Sequence, residues 1–374
     1  MASYDVVVCG LGVMGSAALY HLARRGRRVL GLDRFTAGHD RGSSHGETRI
    51  IRLAYFEHPS YVPLLRRAYQ LWRELESEAA CPLLHVTGIA EIGPLDGMLV
   101  PGTLEAARLH DIAHELIAAP ALMRRYPAFR LPLHYVGVVQ PDGGFLAAEA
   151  SLQAMLALAL KHGAEVRFDA PVRAIEPSGD RARVVMEGAT IEAGAVIVAV
   201  GPWLSRLLPG ANLPLRVTRQ VMAWFAPPAS SDFAVGRFPV FLIESRHGVH
   251  YGFPPFGRGL KVAKHHHAEE MVDPDGYDRQ VSAADEALIR AVVADHLPGA
   301  DGPLVSAATC LYTVAPDGDF IVDRLPGTAS VVVASPCSGH GFKFAPVIGE
   351  VLADLATGLP LRHDIARFRI GRFA

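Results

Sequence analysis

A short run of β-branched residues opens the chain, and a longer helical pattern follows it. Residues 6–8 are all valine, and an apolar run of this kind is typical of a buried parallel strand. A helical pattern covers residues 13–25 and stops at Gly26, and a second apolar strand is predicted at residues 28–33. Strand, helix and strand in this order predict a βαβ unit.

Further along, apolar residues recur either at helical spacing or in short β-branched runs between Gly and Pro turns. The helical patterns predict helices at 60–78 with Ser60 as N-cap, 103–116, 149–162, 283–296 with a Ser282–Asp285 capping box, and 345–356. The other runs predict a strand pair within 83–93 and strands at 164–168, 171–176, 182–187, 195–200, 216–226, 238–244, 248–253, 259–264, 304–314, 319–323 and 330–334. Pro-rich loops are expected up to a turn at 141–144.

The turn after the first strand carries three glycines in G-x-G-x-x-G spacing, Gly10, Gly12 and Gly15. In such a turn the first glycine bends the chain, the second admits a pyrophosphate, and the third lets helix and strand pack closely. The helix start adds free amides and a positive dipole end. Asp33, at the end of the second strand, can accept hydrogen bonds from a ribose. The unit predicts dinucleotide binding but does not itself distinguish FAD from NAD.

Composition narrows the class of protein. Lys and Arg total 36 and Asp and Glu total 38, a net charge of −2, which argues against charge-driven binding to nucleic acid or a membrane surface. The four cysteines are scattered without C-x-x-C spacing, so neither a disulfide framework nor a zinc site is indicated. No apolar run approaches the length of a membrane span, and no leader-like segment precedes the first strand, so we expect a cytoplasmic protein.

Two polar, glycine-rich loops carry candidate binding groups. The first spans residues 38–52 and is dense in hydrogen-bond donors, which could hold the edges of a cofactor ring and an anionic substrate. The alternative is a solvated loop with surface arginines. The second, residues 338–344, follows an apolar strand and precedes a helix, as the opening turn does.

Seven motifs together resemble one protein family over nearly the whole length. Besides the opening glycines they are G-S-S-H-G-E-T-R-I-I-R at 42–52, Y-G-F-P at 251–254, G-L-K at 259–261, C-L-Y-T at 310–313, P-D-G-D-F-I-V-D at 316–323 and S-G-H-G-F-K-F at 338–344. The chain resembles the monomeric sarcosine oxidase and N-methyltryptophan oxidase family, a branch of the D-amino-acid-oxidase-like flavoproteins.

The resemblance implies an α/β fold with a Rossmann-like FAD-binding domain and a substrate domain built mainly on an antiparallel sheet. We expect the FAD-binding domain to comprise residues 1–82, 146–211 and 306–374, and the substrate domain residues 83–145 and 212–305. The 171–176 strand lies where two-dinucleotide-fold flavoproteins contact adenosine. The expected FAD contacts are Gly10, Gly12, Val13, Met14, Gly15, Asp33, Arg34, Gly42, Ser43, Ser44, Thr48, Arg49, Val172, Gly201, Trp203, Cys310, Gly339, Gly341, Phe342 and Lys343.

The resemblance also implies covalent attachment of the flavin 8α-methyl carbon to Cys310, with a nearby cation lowering the thiol pKa. It places Lys261 near flavin N5, where it activates oxygen. Without the resemblance, Cys310 would be interpreted as a core cysteine and Lys261 as an outward-facing strand lysine.

The remaining expected roles surround the flavin and the substrate. Arg52 and Lys343 match the pair that holds the substrate carboxylate. Arg49 and His45 match residues close to the flavin, and Tyr251, His265 and Tyr312 match aromatic pocket residues, of which Tyr251 and His265 contact substrate. The histidine run 265–267 could suggest a metal site, but it lacks spaced partners, so no metal is expected.

These features predict a monomeric, FAD-dependent oxidase of an N-methyl amino acid such as sarcosine or N-methyltryptophan. Its partners would be the small-molecule substrate and O₂, and its products the demethylated amino acid, formaldehyde and hydrogen peroxide. The alternatives are a dehydrogenase that uses another electron acceptor, an oxidase of a cyclic or bulkier amino acid, an NAD-dependent enzyme, and a flavin-binding protein without activity.

Overall fold

The computed structural model describes residues 4–226 and 231–373. Residues 1–3 and 374 of the expected FAD-binding domain, and 227–230 of the expected substrate domain, lie outside the described residues. The strands are β1 Tyr4–Cys9, β2 Val29–Leu32, β3 Thr48–Ile51, β4 Leu84–Val86, β5 Ile89–Gly93, β6 Glu115–Ala118, β7 Val136–Gln140, β8 Gly144–Ala147, β9 Glu165–Arg167, β10 Val172–Ser178, β11 Arg181–Met186, β12 Ala189–Val198, β13 Arg216–Phe225, β14 Val240–Ser245, β15 Gly248–Phe253, β16 Leu260–Lys264, β17 Leu304–Val314, β18 Ile321–Arg324 and β19 Val331–Ser335.

The helices are α1 Val13–Arg24, α2 Val62–Ala79, α3 Leu99–Leu109, α4 Ala119–Arg125, α5 Ala148–Lys161, α6 Leu204–Leu207, α7 Ala283–His296 and α8 Ala345–Thr357. Within the described ranges, no helix has the length and apolar content needed to cross a bilayer.

The first sheet is built around β1, which pairs in parallel with β2 on one side and β12 on the other. β9 extends the sheet beyond β2, while the two halves of β12 pair with β11 and with β19. Successive side chains of β1 enter two different cores: Val6 and Val8 pack with α1, α2, α5 and α8, and Val7 and Cys9 pack on the opposite face. Burial on both faces explains the continuous valine run.

The second sheet has the order β17-β13-β16-β15-β14-β5-β7-β6. All its pairings are antiparallel except that of β14 with β5. A smaller sheet, β3-β8-β4, carries the end of the first polar loop. The expected combination of a dinucleotide fold with a mainly antiparallel second sheet is therefore confirmed.

Several local expectations were wrong. Residues 84–93 form two strands, but β4 pairs with β8 and β5 with β14 and β7, so they are not a hairpin. The helix predicted at 103–116 ends at Leu109, and the following Pro-rich stretch contains β6, α4 and β7. Ser60 does not cap α2: the His58 ring accepts a hydrogen bond from the Ser60 amide in a preceding 3₁₀ turn. The Ser282–Asp285 capping box is present.

Strand β17 pairs along its length with β13, from Val314 opposite Arg216 to Leu304 opposite Phe225. It therefore belongs to the second sheet, although we assigned residues 306–314 to the FAD-binding domain. This pairing places Cys310 and Tyr312 on the second sheet. The division into two domains stays a prediction.

The close contact between α1 and α8 makes a specific stability prediction. A Cβ at Gly349 would lie 2.6 Å from the Ala17 carbonyl carbon and 2.7 Å from its Cβ, so Gly349→Ala overpacks this contact. We expect a loss of about 1–3 kcal/mol in the free energy of unfolding, measured by urea denaturation. Gly210→Ala is the control, because its added Cβ meets nothing within 4 Å. Equal stability of both variants would contradict the packing described.

Candidate active site

A cavity of about 410 Å³ lies where the carboxyl ends of β1, β2, β12 and β19 face the second sheet. Ligands of open α/β sheets usually bind at this edge. Most of the expected site residues line the cavity: Gly10, Gly12, Val13, Met14, Asp33, Arg34, Gly42, Ser43, Ser44, Arg49, Arg52, Val172, Gly201, Trp203, Tyr251, His265, Cys310, Tyr312, Gly339, Gly341, Phe342 and Lys343. Gly15, His45, Thr48 and Lys261 are absent from the lining.

The three glycines of the opening turn have different surroundings. Gly10 has a φ of +89°, and a Cβ there would lie 2.5 Å from Ala199 O, so both conformation and packing require glycine. A Cβ at Gly15 would collide with Gly10 O, which explains the absence of Gly15 from the lining. At Gly12 a Cβ would meet only Ser44 Oγ, at 3.3 Å. The second glycine therefore leaves the space beside the α1 amides open, as a pyrophosphate requires.

Asp33 is buried and holds the turn itself. Its carboxylate accepts hydrogen bonds from the amides of Leu11 (2.6 Å) and Phe35 (2.8 Å) while it lines the cavity. The contact of Asp33 with a ribose stays a prediction. Beside Asp33, at the same end of the cavity, Asp275 accepts hydrogen bonds from Arg34 Nη1 (2.7 Å) and Trp203 Nε1 (2.8 Å). Asp275 thereby joins the loop before α7 to the first sheet, and the sequence did not single it out.

Lys261 lies under the first polar loop rather than in the cavity wall. Its side chain is buried, and Nζ donates to Gly46 O at 2.6 Å and to Thr48 O at 2.9 Å. Burial, and then the nearby Arg49 guanidinium, hold the pKa of Lys261 well below its ordinary value. Arg49 itself lines the cavity and donates to Ser43 O and His45 O.

His45 is buried beside these cations, and its Nε2 has no hydrogen-bond partner in the part of the chain that the structure describes. Burial and Arg49 lower its pKa to about 4, so the ring is neutral at physiological pH. Cys310 is also buried. Burial raises the pKa of its thiol despite opposing effects of Arg49 and Lys261. The expected net lowering of the Cys310 pKa is therefore absent, although the expected cations are present.

At the end of the cavity away from the glycine turn lie side chains of both charge signs. Arg52 Nη2 donates to Glu57 at 2.6 Å, and Arg52 Nε lies 3.0 Å from Glu91 Oε1. Lys343 Nζ donates to Tyr55 Oη at 3.2 Å and to a backbone carbonyl at 2.7 Å. Burial and then Arg52 lower the pKa of Lys343 to about 7. Two cations thus face the same end of the cavity, as binding of a carboxylate requires.

Aromatic side chains from the second sheet complete the wall. Tyr251, His265 and Tyr312 line the cavity, and the rings of His265 and Tyr312 are 5.8 Å apart. Burial and His266 lower the pKa of His265 to about 3, so this ring stays neutral. His267 instead contacts Asp285, with Nε2 2.9 Å from Oδ1. Over the described residues, no three His, Cys, Asp or Glu side chains are grouped as a metal site requires.

Known proteins match this chain over nearly its full length. Residues 5–355 match the family of FAD dependent oxidoreductases abbreviated DAO. The chain belongs to this family. A monomeric sarcosine oxidase from Bacillus sp. (strain NS-129) is 39% identical, over 99% of this chain and 97% of that protein. An N-methyl-L-tryptophan oxidase from Salmonella agona (strain SL483) is 37% identical, over 99% of both chains.

The fold is also shared with solved structures. The open form of NikD, described as an unusual amino acid oxidase essential for nikkomycin biosynthesis, has a TM-score of 0.86 and 28% sequence identity. The match covers 99% of this chain and 98% of the NikD chain. The FAD-dependent oxidoreductase class and the fold expected from the sequence are confirmed by these matches.

Two acidic residues of this DAO-family site were missed in the sequence. Glu57 and Glu91 both contact Arg52, and Glu91 is completely buried on β5. The signal that identified Lys261 was a charged residue in an otherwise apolar strand. Glu91 shows the same signal within Ile89–Gly93 and could have been found by it.

The glycine surroundings predict different outcomes for two similar substitutions. Gly12→Ala adds a methyl group beside Ser44 only, so the protein should fold but lose most of its FAD, because the methyl group occupies the cradle. Gly15→Ala forces α1 away from β1 and should fail to fold stably. Melting temperature and FAD absorbance per chain measure the two effects. A fully FAD-loaded Gly12→Ala protein would contradict the assigned cradle.

Proposed function

We propose that this protein is an FAD-dependent oxidase of N-methyl amino acids. The observation that carries the proposal is the pairing of Arg52 and Lys343 at one end of a cavity whose other end is a dinucleotide cradle. The names of its full-length relatives, sarcosine oxidase and N-methyl-L-tryptophan oxidase, support the same class of substrate. An amine that carries an α-carboxylate fits a site with cations beside aromatic side chains.

The residues present fit FAD. The open face of Gly12 and the start of α1 would hold its pyrophosphate, and Val172, Gly201 and Trp203 line the cavity at the adenosine end. Cys310 would attach the ring covalently, as the resemblance implies. When bound, FAD would accept two electrons as the CH–NH unit of the substrate becomes C=N, and would pass them to O₂. The overall change converts the N-methyl amino acid, O₂ and water into the free amino acid, formaldehyde and hydrogen peroxide.

The protein's own groups would act by positioning. Arg52 and Lys343 hold the carboxylate, and Tyr251 and Tyr312 form the aromatic wall beside the amine. His265 is a poor base because its pKa is about 3. The substrate amine therefore has to enter in its neutral form, having lost its proton to solvent. We propose that the enzyme works as a monomer, as the name of its sarcosine oxidase relative states of that protein; its cytoplasmic location stays a prediction.

A peroxide-coupled substrate screen tests the activity. Wild-type protein should release equal amounts of peroxide and formaldehyde from sarcosine, N-methyl-L-tryptophan or a related secondary amino acid. Arg52→Gln should lower kcat/KM about 10- to 100-fold, because one charge-assisted hydrogen bond to the carboxylate is lost. Arg183→Gln, which removes an exposed arginine paired with Glu176, is the matched control and should leave kcat/KM unchanged.

Other outcomes of the screen separate the alternatives. Flavin reduction by substrate without peroxide would indicate a dehydrogenase with another acceptor. Turnover of cyclic or bulkier amino acids alone would replace the proposed substrate class. Absence of flavin reduction by every amine would contradict the proposal.

Covalent attachment is tested on the purified protein. Acid precipitation should leave the wild-type pellet yellow, whereas Cys310→Ser should release its FAD into the supernatant. Cys337→Ser is the control, because Cys337 also lines the cavity and should not affect retention. Release of all FAD from wild-type protein, with Cys310 still open to alkylation, would exclude the linkage.

A further inference from the structure

Arg52 lies between two carboxylates that differ in their access to solvent. The Glu57 side chain retains 16% of its exposure, whereas that of Glu91 is fully buried. Glu91 Oε2 accepts a hydrogen bond from Gln140 Nε2, and Gln140 Oε1 in turn accepts one from the Ala54 amide. Glu91 is therefore fixed from β7 while its other oxygen faces Arg52.

The contact between Glu91 and Arg52 is close but misaligned. Arg52 Nε and Glu91 Oε1 are 3.0 Å apart, yet neither buried atom has a hydrogen-bond partner among the described residues. Buried polar atoms are rarely left in this state, and they are often found at sites that rearrange or bind a ligand. Rotation of the guanidinium away from Glu57 would change this alignment.

A charge count shows why this matters for binding. Without ligand, Arg52 and a protonated Lys343 already balance the charges of Glu57 and Glu91 when both acids are ionised. A bound substrate carboxylate would be a third anion against two cations. Like charges in a buried site disfavour joint ionisation, so one carboxyl group should bind a proton.

We propose that Glu91 is a positioning residue that takes up a proton from solvent when a carboxylate ligand binds to Arg52. This inference rests on the proposed function, which supplies the carboxylate. Glu91 is favoured over Glu57 because it is fully buried and its Oε1 lacks an aligned donor. The Thr103 hydroxyl faces Glu91 and donates to Leu99 O at 2.8 Å, so its oxygen can accept from a protonated Glu91.

The pKa shifts of the two carboxyl groups agree with this choice. Burial raises the pKa of Glu91 to about 7 against the opposing effect of Arg52. Burial also acts to raise the pKa of Glu57, but Arg52 and other nearby groups lower it overall. The charged and polar groups facing Glu91 are Arg52, Tyr55 and Glu57 from the segment after β3, Thr103 from α3, Gln140 from β7, and Lys343 from the second polar loop.

The affinity for a carboxylate ligand should fall as the pH rises. A ligand whose binding adds a proton binds more weakly as the pH rises, because the free protein then has to acquire that proton. Lys343, with a pKa near 7, acts in the same direction, so wild-type protein should take up protons at two groups. Glu91→Gln removes one of these two groups.

The test uses the FAD-loaded protein and (methylthio)acetate, which has sulfur in place of the amine nitrogen and cannot form an imine. Its binding is followed by flavin absorbance from about pH 6 to about pH 9, a range that spans these ionisations. Calorimetry in two buffers of different ionisation enthalpy counts the protons taken up. In Glu91→Gln we expect proton uptake to fall by about half a proton or more near pH 8, and Kd to rise less steeply with pH.

Glu57→Gln is the matched control, and it should change the affinity but keep the proton uptake of wild type. Proton uptake that is unchanged in Glu91→Gln, or is lost in Glu57→Gln instead, would overturn the proposal. Should Glu91→Gln fail to fold, the infrared difference spectrum of wild-type protein decides. Ligand binding should create the carbonyl band of a protonated carboxylic acid, and its absence would also overturn the proposal.

These readouts are independent of turnover. Proton-coupled anion binding without peroxide from any amine would refute the proposed oxidase and leave the assignment of Glu91 intact. Peroxide production together with proton uptake that is unchanged in Glu91→Gln would support the proposed oxidase and refute the assignment of Glu91.

Discussion

The hydrogen bonds of the buried Lys261 amino group are the contact on which the rest of the site depends. It joins β16 of the second sheet to the loop before β3 through the carbonyls of Gly46 and Thr48. The same loop is held from the opposite side, because Glu149 accepts hydrogen bonds from the amides of Gly46 and Glu47. Glu47 has a φ of +67°, which non-glycine residues rarely adopt, so its conformation has to be imposed by such contacts.

Burying an ammonium is costly unless hydrogen bonds compensate, and two carbonyl oxygens provide them here. With this loop fixed, Ser44 Oγ accepts from the Val13 amide at 3.1 Å, and Arg49 lies along the cavity. One interaction thus positions both the start of α1 and the cation expected beside the flavin. Because the pKa of Lys261 is far below its ordinary value, its charge would respond strongly to any anion that forms nearby.

Much of the framework could be predicted from the sequence. The glycine turn, the valine strand and the later strands follow from local periodicity. Most of the expected site residues line the cavity, although they make up less than half of its wall. The errors concern which strands pair with each other and which sheet a strand joins. The partners of β4 and β5 lie far away in the chain, so their separation into two sheets leaves no local signal. Likewise, the sequence of β17 fits a strand of either sheet, and only its pairing with β13 assigns it to the second sheet.

The acidic half of the site was missed for a related reason. The motifs drew attention to cations, whereas Glu91 acquires its importance from Arg52, 39 positions earlier in the chain. A thiol pKa likewise depends on a three-dimensional balance, and at Cys310 burial outweighs the neighbouring cations.

Oxidation of the reduced enzyme by O₂ tests the account most directly. In Lys261→Met, Glu149 should still hold the loop, so substrate should reduce the flavin anaerobically. Reoxidation by O₂ should slow by at least about a hundredfold, because the cation that stabilises developing negative charge is gone. Lys264→Met, on the same strand but on its opposite face near Arg246 and His247, should reoxidise at the wild-type rate. Reoxidation of Lys261→Met at the wild-type rate, measured by stopped-flow absorbance, would contradict the account.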